Sequence, residues 1–448
     1  MANHREVLND RFVAFSGIGK KQSADGVALA NADLDTRDKC TITREEIVTR
    51  RDIRDCKDQD LIGSKIDSRM ARWTFTYNEL TPQIIARYTA YLLGSSAAAT
   101  GTPANEVQTL ARTGTVSAGT FTIALTIEGR TVETRPIAFD ATTALIQVAL
   151  TAPRMLFMQP GSVVVSGDWD AGIVLTFGGN MAHADIPLVV IDASGLTGTT
   201  PGISVTQTTA GDQNHHALSR STTREKAKVS FICGWDNDDS ANTPEKYCDY
   251  VIEQITPGLS LDGNCTLTVQ ALGPWEYDSL EHGYTVPDCV NIDPLQSQDC
   301  RIKIDNVWQT TDINTLTTTI NDNVPTDRLS AFPFDGIDVQ TLQRGRQPSY
   351  GPINIALFGS EIDGIYQLAL NERTESPVPV VIHFGFPGNR CTWSFPKTQI
   401  RFQNNPMGEA GDARFSTIQI EGIPQKNGTN APFNATADID QTAQFLTT

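Results

Sequence analysis

The chain has 448 residues with 39% hydrophobic and 19% charged content, ordinary proportions for a folded protein of two to four domains. Its formal charge of −17 disfavours a grip on nucleic acid, which draws its affinity from basic patches that displace counterions. No apolar run approaches the ~18 residues that cross a bilayer, and the opening MANHREVLNDRF lacks the apolar core of a signal peptide, so cytoplasmic synthesis without membrane association is expected.

Glycine, proline, threonine and β-branched residues are plentiful, and the expectation is a mainly β protein of α+β class. GIGKK at 17–21 has the glycines and lysine of a phosphate loop but neither its spacing nor the Ser or Thr after lysine, and reads as a turn. TITREEIVTRRDI reads as a strand, DLIGSKIDSRMA as a long loop and ARWTFTYN as a strand again. The first clear helix follows: Thr81 is a suitable N-cap, Pro82 suits the first helical position and Gly94 a left-handed stop. Ile84, Ile85, Tyr88, Tyr91 and Leu92 share one face, as expected of an amphipathic helix covering one face of a sheet. SSAAATGTPANE then has linker composition.

Residues 105–211 change character. Two strands around the turn Glu128-Gly129, a helix capped by Asp140, a hairpin at 161–179 and two further strands predict a small β-rich domain inserted between linkers. Within it, Asp168 and Asp170 flank Trp169; paired carboxylates suggest sugar chemistry, but GDWDAG reads more simply as a hairpin turn. His215 and His216 lie at the border, and a vicinal pair does not present two imidazoles to one metal, so they read as linker histidines. DNDDSANTPE at 236–245 has calcium-loop acidity without the central glycine and reads as a solvated hairpin tip.

The eight cysteines, at 40, 56, 233, 248, 265, 289, 300 and 391, form no CxxC pair and have no histidine at ligand spacing. They read mostly as reduced apolar thiols, with a few disulfides open if the protein leaves the cell. No GxSxG elbow or general-base histidine is recognisable. The expectation is a non-enzyme with no cofactor and no metal.

From KAKVSFICGW onward the first character resumes, and the order of elements repeats. RWTFTYNELTPQIIARYTAYLLG, KVSFICGW and YCDYVIEQITPGLSLDGNCTLTVQALG are echoed by GPINIALFGSEIDGIYQLALNER, VPVVIHFGF and RCTWSFPKTQIRFQNNPMGEAGDARFSTIQIEGIP. Each unit runs strand, helix, strand, hairpin, and each begins with a strand and a long loop. The second helix is expected after Ser360, with Ile362, Ile365, Tyr366 and Ala369 on one face.

The first set of segments resembles the major tail tube protein of long-tailed bacteriophages, and GTFTIALTIEGRTVETRPIAF with the hairpin after it is similar to a small β domain embedded in phage tail and surface proteins. Together the two likenesses cover most of residues 40–425. They imply two tandem tail-tube β-sandwich domains, each with a flanking helix: one discontinuous over 1–104 and 212–280, the other over 281–448, with a decoration domain at 105–211. The helix contacts implied on each sheet are Ile84, Ile85, Tyr88 and Leu92, then Ile362, Ile365 and Tyr366.

Such a protein is a virion component, made in the bacterial cytoplasm, whose rings stack into a tube that conducts the genome into the host. Its partners are other copies of itself, the tape measure protein, the tail terminator and tail-tip proteins. DNA is met only in transit through an acidic lumen, where like charges repel. A duplicated domain implies trimeric rings with pseudo-sixfold symmetry; the alternative is a single large tube domain in a hexamer. The long loops at 59–72 and 334–349 are expected to join rings, through Leu61, Ile62, Lys65, Ile66 and Arg69 and through Phe334, Ile337, Val339, Leu342 and Arg344. A secreted or surface β protein that binds glycans, and another phage tail or capsid structural protein, stay open as rival readings.

Overall fold

The computed structural model describes residues 11–15, 19–20, 28–30, 36–38, 40–54, 61–155, 158, 160–221, 227–235, 244–260, 265–275, 277–280, 294–309, 313–324, 348–358, 377–402, 417–426, 431–439 and 446–447. Within them the chain is mainly β and its sheets are almost wholly antiparallel. The GIGKK segment contributes a short strand, Gly19–Lys20, paired in parallel with Leu446–Thr447. The expected second helix, with Ser360, Ile362, Ile365, Tyr366 and Ala369, lies outside the described residues, as does most of the acidic stretch at 236–245.

One large sheet holds two runs of strands with the same order. In the first, Cys40–Arg54 pairs with Leu61–Tyr77, which pairs with Thr266–Pro274. That strand pairs with Glu245–Ser260, then Lys228–Trp235, then Arg11–Phe15. In the second, Ile313–Thr317 pairs with Ile353–Phe358, which pairs with Thr417–Pro424. That strand pairs with Asn389–Phe402, then Val378–Phe386, then Cys300–Ile304. Six strands thus recur in the same spatial order, although the two segments share little sequence. The runs join where Gly258–Ser260 pair with Thr317–Thr315. A single core cluster draws on both, from Trp73, Phe75 and Phe231 to Ile382, Trp393 and Phe395.

The helix Pro82–Leu93 has the expected caps. Thr81 is extended and its hydroxyl accepts from the Ile84 amide at 3.3 Å; Gly94 has φ 73° and its N–H reaches the Ala90 carbonyl. A left-handed residue without Cβ avoids the steric cost any other side chain meets there. The helix does not have the solvent face expected of it: eleven of its twelve residues are buried, Arg87 and Thr89 among them. It packs against Glu245–Ser260 of the first run and Asn389–Phe402 of the second. Thr89 and Gln83 find partners there. Thr89 Oγ1 donates to the Ile85 carbonyl at 2.7 Å and accepts from Trp393 Nε1 at 3.2 Å, and Gln83 donates to Asn389 at 2.9 Å. Partners from a segment 300 residues away are what its apolar periodicity did not disclose.

Residues 107–209 form a separate seven-stranded sheet with a core of their own. The turn Glu128-Gly129 has two positive φ values, 50° and 79°, the geometry that suits the twist of a two-residue hairpin. The helix here spans Thr143–Leu150, so Asp140 precedes it by too much to act as its cap; Thr142 holds the N-cap position. The two last strands expected are Val190–Asp192 and Leu196–Thr209, the second beginning earlier than expected and taking in the end of the first segment. Asp168 Oδ1 accepts from the amides of Asp170 and Ala171 at 2.9 and 2.7 Å, closing the GDWDAG hairpin. Trp169 turns inward against Phe121 and beneath Arg112.

The segment read as a slack linker is paired. Gly94–Ser96 ladder onto His215–Arg220, and Thr100 and Ala104 exchange backbone hydrogen bonds with His215 and Asp212. Small residues leave the backbone free to make such bonds, and composition alone does not reveal the distant strand that receives them. His216 accordingly sits fully buried in a strand.

Candidate assembly interface

The segment 59–72, read as a loop, is strand from Leu61 onward, and Leu61, Ile62, Lys65, Ile66 and Arg69 all lie in the Leu61–Tyr77 strand. Its register with Cys40–Arg54 runs from Cys40↔Tyr77 to Arg54↔Leu61. The third strand, Thr266–Pro274, covers only Met70–Tyr77. Past Met70, among the described residues, the two strands pair only with each other, a ribbon that extends by about 25 Å at ~3.3 Å per residue. Alternation hid this strand: LIGSKIDSR mixes Gly, Ser and charges in a way that resembles a loop. A two-stranded ribbon alone is marginal in water, so a ribbon built beyond its sheet is suited to being covered by something else. Residues 48–69 carry six basic and five acidic groups, one net positive charge in a chain of −17.

Where the ribbon leaves the sheet, both faces are fastened. On the core side Arg44 lies opposite Trp73. Its guanidinium is 4.0 Å from the Trp275 ring centroid, 5.1 Å from Trp73 and 5.4 Å from Tyr247. It also donates to the Trp275 carbonyl and to Tyr247 Oη. Arg44 itself is exposed, so the quadrupole attraction of the three neighbouring rings acts with water on the cation's other side. Burial first, then the hydrogen bond to Glu245, pushes the Tyr247 phenol up, so it remains a neutral donor. On the opposite face Met70, Val251, Leu272 and Val324 form a small apolar cluster with Ile47 against it. Arg72 donates from Nε to Glu253 at 3.1 Å and from a terminal nitrogen to Glu45 at 3.3 Å.

The matching connection of the second run, with Phe334, Ile337, Val339, Leu342 and Arg344, lies outside the described residues. Its flanks do pair, Ile320↔Tyr350 and Asn321↔Ser349, so it too leaves from between the first two strands of its run. The sheet-packing residues of the first helix, Ile84, Ile85, Tyr88 and Leu92, are all in the main core.

A second constellation seats the 107–209 sheet on the body. Glu128 Oε1 lies 2.5 Å from His383 Nδ1 and accepts from Arg390 at 3.2 Å. Arg390 Nε donates to Asp438 at 2.9 Å, and Asp438 also meets His215 Nδ1 at 2.6 Å. Gly129 rests on Trp308, where a Cβ would come within 2.6 Å of that side chain, and Trp308 stacks edgewise on His383. Sequence reasoning had no signal for this chain of charges, whose members come from five separate segments.

Beside His215 and Asp438 lies a groove of about 320 Å³ lined by Ala97, Thr100, His216 and Thr436. Among the described residues no three His, Cys, Asp or Glu side chains are grouped to hold a metal, and no helix is long and apolar enough to cross a membrane. The search of protein-family models gave no match to this chain, and neither did the search of curated proteins.

Proposed function

We propose that this chain is a structural subunit of the tail tube of a long-tailed bacteriophage, polymerising into stacked rings through which the genome passes to the host. The observation that carries the reading is the recurrence of six strands in one order. A chain built of two like modules presents two like edges. Three such chains close a ring with pseudo-sixfold symmetry, and a heterologous contact along the axis continues as an open tube. In this reading 1–104 with 212–280 is the first tube domain, 281–448 is the second and 105–211 is a β-rich decoration domain on the first.

The ribbon formed within 48–69, and the segment 334–349 as the second contact, join one ring to the next. An excess of acidic side chains lets DNA slide without adhering, since like charges exclude the phosphates. Contacts with tape measure, terminator and tip proteins occur at the tube's ends. The role is structural, with no catalytic step and no cofactor.

Negative-stain microscopy and native mass measurement of the purified chain test this. Tubes, or rings of three chains, are expected. Rings of six chains would overturn the two-module ring, and dispersed monomers that bind glycans would overturn the tube reading altogether.

A further inference from the structure

The six described cysteines are free thiols, and two of them touch. Cys265 Sγ and Cys300 Sγ are 3.4 Å apart, both buried in the main core. Cys265 immediately precedes the Thr266–Pro274 strand of the first run, and Cys300 opens the Cys300–Ile304 strand of the second. The surrounding backbone is fixed: the Cys265 amide donates to the Leu295 carbonyl at 3.1 Å, and Cys300 pairs with Phe384. A disulfide requires the sulfurs to approach to about 2.05 Å, a change that rotation of two short side chains supplies more readily than strand movement.

We infer that Cys265 and Cys300 are an oxidation site, at which a peroxide-class oxidant forms a disulfide that staples the first run of strands to the second. The inference does not depend on the tail-tube reading. The hydrogen bond to Cys265, then burial, holds the Cys300 thiol well above the usual cysteine range, so Cys300 stays protonated in the first step. The Cys265 thiolate takes one peroxide oxygen, the O–O bond breaks, and hydroxide leaves as water after protonation. Cys300 Sγ then attacks the resulting sulfenic sulfur. The S–O bond breaks, and the Cys300 proton passes to the departing hydroxide. Two thiols and one hydrogen peroxide become one disulfide and two waters, with two electrons passing from sulfur to oxygen. Hydrogen peroxide is close to water in size, which suits a site closed to bulkier disulfide reagents.

The test uses the full chain, reduced, freed of reductant and treated while folded with one equivalent of hydrogen peroxide. It is then denatured, alkylated with a maleimide and weighed. Alkylation is expected to fall from eight sites to six, with a Cys265–Cys300 linked peptide in the digest and a higher melting temperature than the reduced chain. Cys265→Ser should keep seven alkylated sites and show no rise on the same treatment. Eight alkylated sites in the oxidised wild type, or a linkage that pairs either residue with another cysteine, would overturn the inference. The wild-type peptide map decides the matter even if the variant does not fold.

Discussion

Glu128 and His383 are 255 residues apart in sequence, yet their side chains meet at 2.5 Å, one at the tip of a hairpin in the 107–209 sheet and the other in a strand of the body. Both are close to nine-tenths buried, with side-chain exposures of 10% and 11%, so the pair is poorly screened. Removing the carboxylate leaves the His383 ring nitrogen without this partner and the Arg390 guanidinium facing a contact of low dielectric. Glu128→Asn keeps a residue that tolerates positive φ while deleting the carboxylate. It should cost about 2–4 kcal/mol, read as a lowered unfolding midpoint, and should expose the 127–130 turn to limited proteolysis. An unchanged midpoint and digest would mean that the ion pair does not hold the two sheets together.

Arg44 is the fastening of the ribbon's root. Arg44→Ala loses both its stacking and its donors and, at this exposed position, should cost about 0.5–1 kcal/mol. Arg44→Lys, a compact charge without the planar fork, should recover only part of this. Thermal unfolding compares the three, and equal melting temperatures for Lys and Ala variants would show that charge contributes nothing there.

Replacing residues 48–69 by a two-residue turn removes the ribbon but keeps the three-stranded pairing of Cys40–Ile47 and Met70–Tyr77 with Thr266–Pro274. The expected product is a soluble subunit that no longer elongates under conditions where the intact chain does. Sedimentation of both proteins checks it, and normal tubes from the deletion would remove the ribbon from assembly.

The helix caps predict two small, separable losses. Thr81→Ala should destabilise by about 1 kcal/mol through the lost bond to the Ile84 amide. Gly94→Ala should cost about 1 kcal/mol by placing a Cβ at φ 73°. Denaturant unfolding of the single and double variants should show near-additive shifts, because the sites are at opposite ends of the helix.

Cys248 supplies a pH prediction. Burial, followed by the charges of Asp249 and Asp278, pushes its thiol up to about 12. A raised thiol value means that the nucleophilic thiolate is scarce at neutral pH and increases as protons are withdrawn. Its maleimide labelling in the folded chain should therefore be slow at pH 8 and rise about tenfold per pH unit without a plateau through pH ~10. A plateau near pH 8 to 9 would show an ordinary thiol.

What the sequence disclosed was local. Thr81, Pro82 and Gly94 delimit a helix because capping chemistry acts within four residues, and Glu128-Gly129 marks a hairpin because two adjacent positive φ values suit few other pairs. The order of elements in the repeat was also legible. What stayed hidden were features made by distant partners: the aromatic contacts of Arg44, the ladder that receives residues 94–104, the bond from Trp393 to the buried Thr89, and the sulfur contact of Cys265 with Cys300. Composition misread the ribbon because LIGSKIDSR mixes Gly, Ser and charges without the strict alternation that marks a half-buried strand.

Ala104 and Asp212 exchange hydrogen bonds in both directions at 3.0 Å, so the polypeptide departs from the body and returns to it at a single doorway. Anything folded between those two residues can be exchanged for foreign cargo whose termini lie equally close, without asking the host scaffold to bend. The Glu128 and Gly129 contacts are then what a transplanted passenger would lack, and a natural place to begin tailoring a graft.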